Sequence, residues 1–538
     1  MAVITATRPK LLRAEFPDCS LGAGAYDHVP GYYGVMQNAD GRWGAVIPGP
    51  REVVDRTGIA AGFRVRKQIR HADTQVLLAT DGTDTRIYRQ ETTWVQKAAI
   101  VAAVGIDLVS YNAVLAVSFG PSTAYQFTTG VGAGAWTFTA STKAGNAKFA
   151  NYFLLQQNGL SNPLVAYVRN PNELYTTTDL TNSGTSTTSS TVGDPQTAQD
   201  FFTSITEDDN GVRLIGKRHA LFSIDSAGIV VKLTPDYPDP LLDAGGQSDR
   251  NNFEAWTQIA GRTYYVIGGY DIGEYYHGSW NPYLAPRWAG PQIPRMHLPI
   301  NALASAGGYL LAFLGTKNPT TLKNVTNAPG GAALLQNTFT ATSDLWAGRY
   351  QPNPKTGSEE MVWHGVLLQC TDPLRYAWFD EDDSYLYLCS GDSEAADAQQ
   401  RRCYFVTVPP QFQMADAANV ILQNGAWTVE YGRVTFGDEW KSVRLLRAMA
   451  KTMGLAATAP SLALSYRAVQ EWETTAYASL VTWNDNYHSR NGVRFPRNAA
   501  CHVLNLQAIG TSTGSTYAIL ESLAVEAEPY IKTGVGRG

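Results

Sequence analysis

The sequence predicts an all-β chain, a β-propeller of about six or seven blades followed by a β-sandwich and preceded by an extended arm. Three observations carry that prediction. The composition favours strands and turns, with Gly 49, Tyr 28, Trp 13 and only 17% charged residues among 538. Short apolar runs alternate with turn residues from about Phe63 to Thr435, as in Gln75–Thr80, Asp81-Gly82, Thr85–Arg89, Thr93-Trp94-Val95. Lead strands at Val76, Val114, Leu164, Val212, Thr263, Tyr309 and Val362 follow one another at steps of 38, 50, 48, 51, 46 and 53 residues. A repeat of roughly 40–50 residues, each holding several strands, is the spacing of propeller blades. One four-stranded sheet cannot cover both of its faces, whereas blades stacked radially cover one another. A pair of irregular sandwiches or a β-solenoid is the competing arrangement.

Residues 1–62 read as the arm. Phe16-Pro17-Asp18, Val29-Pro30-Gly31-Tyr32-Tyr33-Gly34, Asp40-Gly41-Arg42-Trp43-Gly44 and Ile47-Pro48-Gly49-Pro50 break any long helix. The interleaved aromatics imply that the arm lies on the protein or on a neighbour. Residues 63–436 hold the propeller. Within it, Thr176–Thr191 is rich in Ser and Thr and reads as a long solvated hairpin loop, with Ser/Thr-rich strand as the alternative. Residues 437–538 read as the sandwich, because Ser461–Arg467 and His502–Ile509 alternate apolar and polar as half-buried strands do.

Little in the chain points to catalysis. Gly510-Thr511-Ser512-Thr513-Gly514 matches the nucleophile-elbow pattern, but strand-like residues follow it and neither Asp nor His comes after Ser512. There is no phosphate-binding glycine loop. The eight histidines never fall at i, i+4, and no C-x-x-C pair occurs among Cys19, Cys370, Cys389, Cys403 and Cys501, so no metal or other cofactor is expected. The thiols are expected to be reduced. Asp208-Asp209-Asn210-Gly211 reads as a turn, Asp380-Glu381-Asp382-Asp383 as a solvated acidic hairpin, and Ser223–Gly228 as a turn of the sialidase Asp-box kind. No run is long and apolar enough for a membrane span, and no signal peptide is visible. A net charge of −5 argues against a general nucleic-acid surface.

Two groups are candidates for binding. The aromatics Tyr270, Tyr275, Tyr276, Trp280, Tyr283 and Trp288 lie close together in sequence, beside Tyr264 and Tyr265. They either form an interaction surface or fill the layers between blades, and the second reading is preferred. The run Arg64, Arg66, Lys67, Arg70, His71 places Arg64, Arg66 and Arg70 on one face of a strand. Such a face either pairs with acids or lines a channel for DNA.

Three stretches carry a family resemblance. The opening from Phe16-Pro17-Asp18 to Ile47-Pro48-Gly49 is similar to a Pro/Gly-rich leading arm. Leu77–Thr80, Arg86–Arg89 and Thr93-Trp94 resemble a recurring blade unit, and Ser465-Tyr466-Arg467 with Val493-Arg494-Phe495-Pro496 and the last strand to Glu526 resemble a closing sandwich. Together, and as pattern over nearly the whole chain, they resemble the β-propeller virion proteins of tailed bacteriophages, in the tail, nozzle or minor-tail class. The resemblance implies a virion part made in the host cytoplasm and repeated by symmetry, touching copies of itself and other virion proteins. It implies no cofactor and no catalytic residues. A tail-tip protein binding a host receptor or glycan is the second functional expectation, and a propeller glycosidase the third.

Overall fold

The computed structural model describes residues 12–529, apart from short breaks and the longer stretches 23–32, 143–152, 155–164, 194–201, 238–251, 319–337, 390–399, 408–424 and 435–442. No helix occurs among the described residues. Seven antiparallel sheets of four or five strands follow in chain order and form the propeller. Blade 1 spans Arg64 to Ile100, blade 2 Gly105 to Ala140, blade 3 Phe153 to Thr191, blade 4 Phe202 to Lys232 and blade 5 Trp256 to Asn281. Blade 6 spans Ile300 to Cys370 and blade 7 Tyr376 to Tyr404.

The strands read as expected for sheets covered on both sides. Val114–Phe119 of blade 2 is buried at every residue, and all of it but Ser118 is apolar instead of alternating. The outermost strand of blade 4, Val230–Lys232, is mostly exposed and ends in Lys. Asp residues shape the hairpins between strands: the Asp81 carboxylate accepts from Thr83 N at 2.8 Å and Asp84 N at 2.7 Å, and Asp208 accepts from Asn210 N and Val212 N, both at 2.9 Å.

Each pair of neighbouring blades shares one apolar cluster. Val76, Leu78, Leu108 and Val117 join blades 1 and 2, and Val109, Val114 and Leu180 join 2 and 3. Leu174 and Ile205 join 3 and 4, and Leu214 and Tyr265 join 4 and 5. Val266 and Leu310 join 5 and 6, Leu311 and Leu386 join 6 and 7, and Leu77 and Cys389 join 7 and 1. The ring therefore closes on itself, and the sheets bury their faces against one another.

Six of the expected lead strands fall on the second strand of blades 1 to 6 in turn. The seventh does not. Val362 lies in Glu359–Cys370, the fourth strand of blade 6, and the second strand of blade 7 begins at Tyr385. Blade 6 breaks the period because its strands are long, with Thr338–Pro352 running for 15 residues. The Ser/Thr-rich segment is a hairpin whose far end, Thr188–Thr191, is a strand paired with Glu173–Thr177.

The described residues ahead of blade 1 are distributed over several sheets. Leu12–Phe16 pairs with Ile519–Pro529 in one sheet of the sandwich, and Leu21–Gly22 with Glu359–Cys370 of blade 6. Tyr33–Gln37 pairs with Ala426–Val434 in the other sandwich sheet. Glu52–Val54 becomes the outermost strand of blade 7. The last of these pairs the start of the chain with its last blade and locks the ring. The sandwich also begins earlier than residue 437, since Ala426–Val434 pairs with Val503–Thr513. Its core holds Trp427, Leu445, Leu464, Leu506, Leu520 and Val525.

Candidate functional site

A buried ion pair lies where the leading segment enters the propeller. The hairpin of Ala39-Asp40 and Ile47-Pro48 turns through Gly41-Arg42-Trp43. Asp40 and Arg42 are both buried. The Asp40 carboxylate accepts from Arg42 Nε at 3.0 Å, Arg42 NH2 at 2.8 Å and Trp43 Nε1 at 3.2 Å. The guanidinium carbon of Arg42 sits 4.8 Å from the ring centre of Tyr309 in blade 6, 4.4 Å from Phe405 beside blade 7 and 5.0 Å from Trp43. Burial alone would raise the Asp40 carboxyl, yet the charge and hydrogen bonds of Arg42 hold it below 3.8. The pair is a charged plug in an aromatic socket. Nearby, a side chain on Gly49 would run into the Leu367 carbonyl of blade 6, so only glycine lets the segment lie this close. Sequence reasoning marked Asp40–Gly44 only as turn residues. Its signal was a charged pair flanking Gly and followed by Trp.

The seam of blades 7 and 1 is the second polar site. Arg70 donates to Asp380 at 2.5 Å and pairs with Asp382 at 3.0 Å. Gln75 Nε2 reaches Asp380 at 2.7 Å, Asp383 at 3.0 Å and the Tyr387 hydroxyl at 3.0 Å. Tyr387 donates to Asp383 at 2.7 Å, and Tyr376 donates to the Gln68 carbonyl at 3.2 Å. The acidic turn is thus not simply solvated: Asp380 is buried and fixes blade 1 to blade 7. Its neighbour Asp55 follows the closing strand, and burial raises its carboxyl above 3.8 despite Arg402 and the Trp94 indole.

The basic run lies on the innermost strand of blade 1, Arg64–His71. A bulge between Val65 and Lys67 changes its parity, so Arg64 and Arg70 register on opposite faces, contrary to the sequence expectation. Lys67 pairs with Asp107 of blade 2, and His71 Nδ1 lies 2.6 Å from Ser110 Oγ of the same blade. Lys67 and Arg70 therefore brace blade 1 on both sides by pairing with acids.

The aromatic candidates divide. Trp280 packs against Phe253 at 6.0 Å, Tyr265 at 6.5 Å and Tyr237 at 6.4 Å between ring centres, in the layer of blades 4 and 5. Tyr275 is buried in the same layer. Tyr276 covers Arg262 at 4.2 Å, and Arg262 pairs at 2.8 Å with Glu274, which also accepts from Tyr350 of blade 6 at 2.8 Å. Tyr283 is 61% exposed. Tyr270 and the side chain of Trp288 lie outside the described residues. The described members do not come together as one surface platform.

Gly510–Thr513 continues a strand into a hairpin, and Trp427 fills the space where a Gly510 side chain would stand. Asp225 accepts from Ile229 N at 2.8 Å, which makes the Asp-box-like segment a turn. Cys389, Cys403 and Cys501 are free and buried, Cys370 is buried as well, and burial pushes the Cys501 thiol up to about 12. Among the described residues no group of three His, Cys, Asp or Glu is placed to hold a metal, and no helix is long and apolar enough to cross a membrane.

No protein-family model matches the sequence, and no curated protein is similar to it. Solved structures are similar in fold. A streptogramin B lyase shares 10% identity at a TM-score of 0.40, covering 68% of this chain and 99% of its own. A chain of the mitotic checkpoint complex shares 8% at 0.41, covering 65% and 92%. The extracellular domain of a putative hybrid two-component system from B. thetaiotaomicron shares 10% at 0.40, covering 71% of this chain and 44% of its own.

Proposed function

We propose that the chain is a structural component of a tailed-phage virion, a tail protein of the nozzle, tip or minor-tail kind. It acts in particle assembly as one of several symmetric copies and is not an enzyme. The observation that best supports this reading is the stitching by residues 12–54. One continuous stretch adds strands to both sandwich sheets and to blades 6 and 7, and buries an ion pair between them. Propeller and sandwich are thereby tied by backbone hydrogen bonds across several sheets. That suits a part which bears load and has no need to open and close. The polar clusters agree with it, since their carboxylates, guanidiniums and tyrosines are spent on holding blades together. The resemblance of the opening, the first blade and the last strands to phage tail propellers supplies the virion context.

The test is electron microscopy of phage particles labelled with gold-conjugated antibody against this chain. Label on the tail axis as a ring is the expected result. Label at the end of peripheral fibres favours the receptor- or glycan-binding reading, and particles without label remove the virion reading. Release of reducing ends from a polysaccharide by the purified protein would instead favour a glycosidase.

A further inference from the structure

We propose that Arg262 anchors a binding site for a carboxylate-bearing sugar at the seam of blades 5 and 6. The inference goes beyond the tail assignment and does not depend on it.

Three observations lead to it. First, the guanidinium is held in place with donors to spare. Its carbon lies 4.2 Å from the ring centre of Tyr276 in blade 5 and 4.7 Å from that of Tyr350 in blade 6. Arg262 NH1 donates to Glu274 Oε1 at 2.8 Å. A guanidinium carries five N–H donors, and Glu274 is the one acceptor this one meets among the described residues. The side chain is 27% exposed and none of its nitrogens is buried without a partner, so the remaining donors face water. Rings in stacking range leave the planar edge as the open side, and such an edge takes a carboxylate through two parallel hydrogen bonds.

Second, Glu274 supports the guanidinium and is itself fully engaged. It is buried, it accepts from the Tyr350 hydroxyl at 2.8 Å, and the Tyr264 hydroxyl bonds to it as well. Burial first, and then the Glu274 charge, push the hydroxyls of Tyr264 and Tyr350 up, so both stay protonated and donate. A buried carboxylate that fixes its neighbours from behind is how a binding group is held ready for a ligand.

Third, the rim suits a sugar better than an acidic side chain of another protein. Asn281 is exposed and donates to the Tyr350 hydroxyl. His277 is exposed, and its ring packs on Tyr276 with centres 4.1 Å apart. It opens a two-residue turn with Gly278 at a φ of 47°, a position that Asn or Gly fills at lower cost, so the turn itself does not call for an imidazole. An amide, an imidazole and aromatic edges around a fixed guanidinium can bond to or pack against a ring that carries several hydroxyls. A lone protein carboxylate would use the guanidinium alone.

Saturation-transfer NMR on the full-length chain tests the site, with glucuronate, glucose, acetate and a glycine-flanked glutamate peptide as probes. Signal on glucuronate, with little on the other three, is the expected result. In Arg262→Gln the glucuronate affinity is expected to fall by about tenfold or more. Asn281→Asp sits on the exposed outer strand of blade 5 and brings a competing carboxylate to the rim, so it is expected to weaken glucuronate binding too. That variant leaves the core untouched and decides the matter where Arg262→Gln fails to fold. No signal on glucuronate overturns the site, and so does unchanged affinity in either variant that still melts cooperatively. Equal signal on glucose removes the role of the carboxylate, and equal signal on acetate or on the peptide removes the sugar. Either result overturns the proposal.

Discussion

Between blades 4 and 5, Phe253 meets Tyr237, Tyr265 and Trp280 ring to ring, with centres 5.7 to 6.0 Å apart. Between blades 7 and 1, an apolar cluster remains, but the contacts that fix it are directional: Arg70 to Asp380, Gln75 to Asp380 and Asp383, Tyr387 to Asp383. The first seam joins blades that are consecutive in the chain, so the connection already limits how they meet; aromatic packing fills it, with neutral hydrogen bonds such as that between Thr206 and Tyr265 beside it. The second joins residues about 310 apart in sequence. Nothing covalent sets its alignment except the strand Glu52–Val54. Apolar surfaces slide and hydrogen bonds do not, so the closure spends polar groups on alignment.

The largest break in this comparison removes the closing strand. Deleting residues 1–55 takes away Glu52–Val54 and the Arg42 plug together. The expected outcome is loss of the cooperative thermal transition by circular dichroism, because an open ring exposes both terminal blade faces. Next is Phe253→Ala. Truncating a fully buried ring costs about 3–5 kcal/mol, read in denaturant unfolding, with faster hydrogen exchange in Arg262–Ile267 but not in Tyr376–Asp380. Asp380→Ala should show the converse. It takes from Arg70 and Gln75 their shared buried acceptor, leaving Arg70 with Asp382 and Gln75 Nε2 with Asp383 and Tyr387, at about 1–3 kcal/mol, and speeds exchange in Thr74–Thr80 and Tyr385–Cys389 while blades 4 and 5 keep their protection. Equal loosening of both seams by either variant would erase the distinction drawn between them.

The smallest effect is electrostatic and has a defined sign. Asp55 has a folded-state value raised above 3.8, chiefly by burial. The folded chain binds that proton more tightly than the unfolded chain, so the group stabilises fully below 3.8 and loses that contribution as pH rises through the folded value. Asp55→Asn is expected to melt above the parent near neutral pH, with the gap closing toward pH 3.8. Asp40 has the opposite sign, since its lowered value gives stability above 3.8 that is lost as pH falls below it. Melting temperature against pH for the parent, Asp55→Asn and Asp40→Asn separates the two.

Much of this architecture could be read from residues alone. Gln75–Thr80, Asp81-Gly82 and Thr85–Arg89 spelled strand, turn, strand, and the turn formed around the Asp81 carboxylate. His502–Ile509 alternated as a half-buried strand should, and Val503–Thr513 alternates in burial. These signals are local, and local backbone chemistry decides them. Three things were not legible. Arg66 gave no sign of the bulge that puts Arg64 and Arg70 on opposite faces of the strand. Asp380 looked solvated because its partners Arg70 and Gln75 lie about 300 residues away. Asp40 and Arg42 looked like turn residues until Tyr309 and Phe405 were brought over them.

Strand period, turn residues and the spacing of lead strands settle that this chain forms many small sheets, because each depends on neighbours within a few residues. Tertiary structure alone decided the blade count at the long blade 6, the distribution of the leading segment over both domains, and which charges would be buried. Those outcomes depend on pairing between distant stretches. There the free energy comes from surfaces and partners that the linear order does not place side by side.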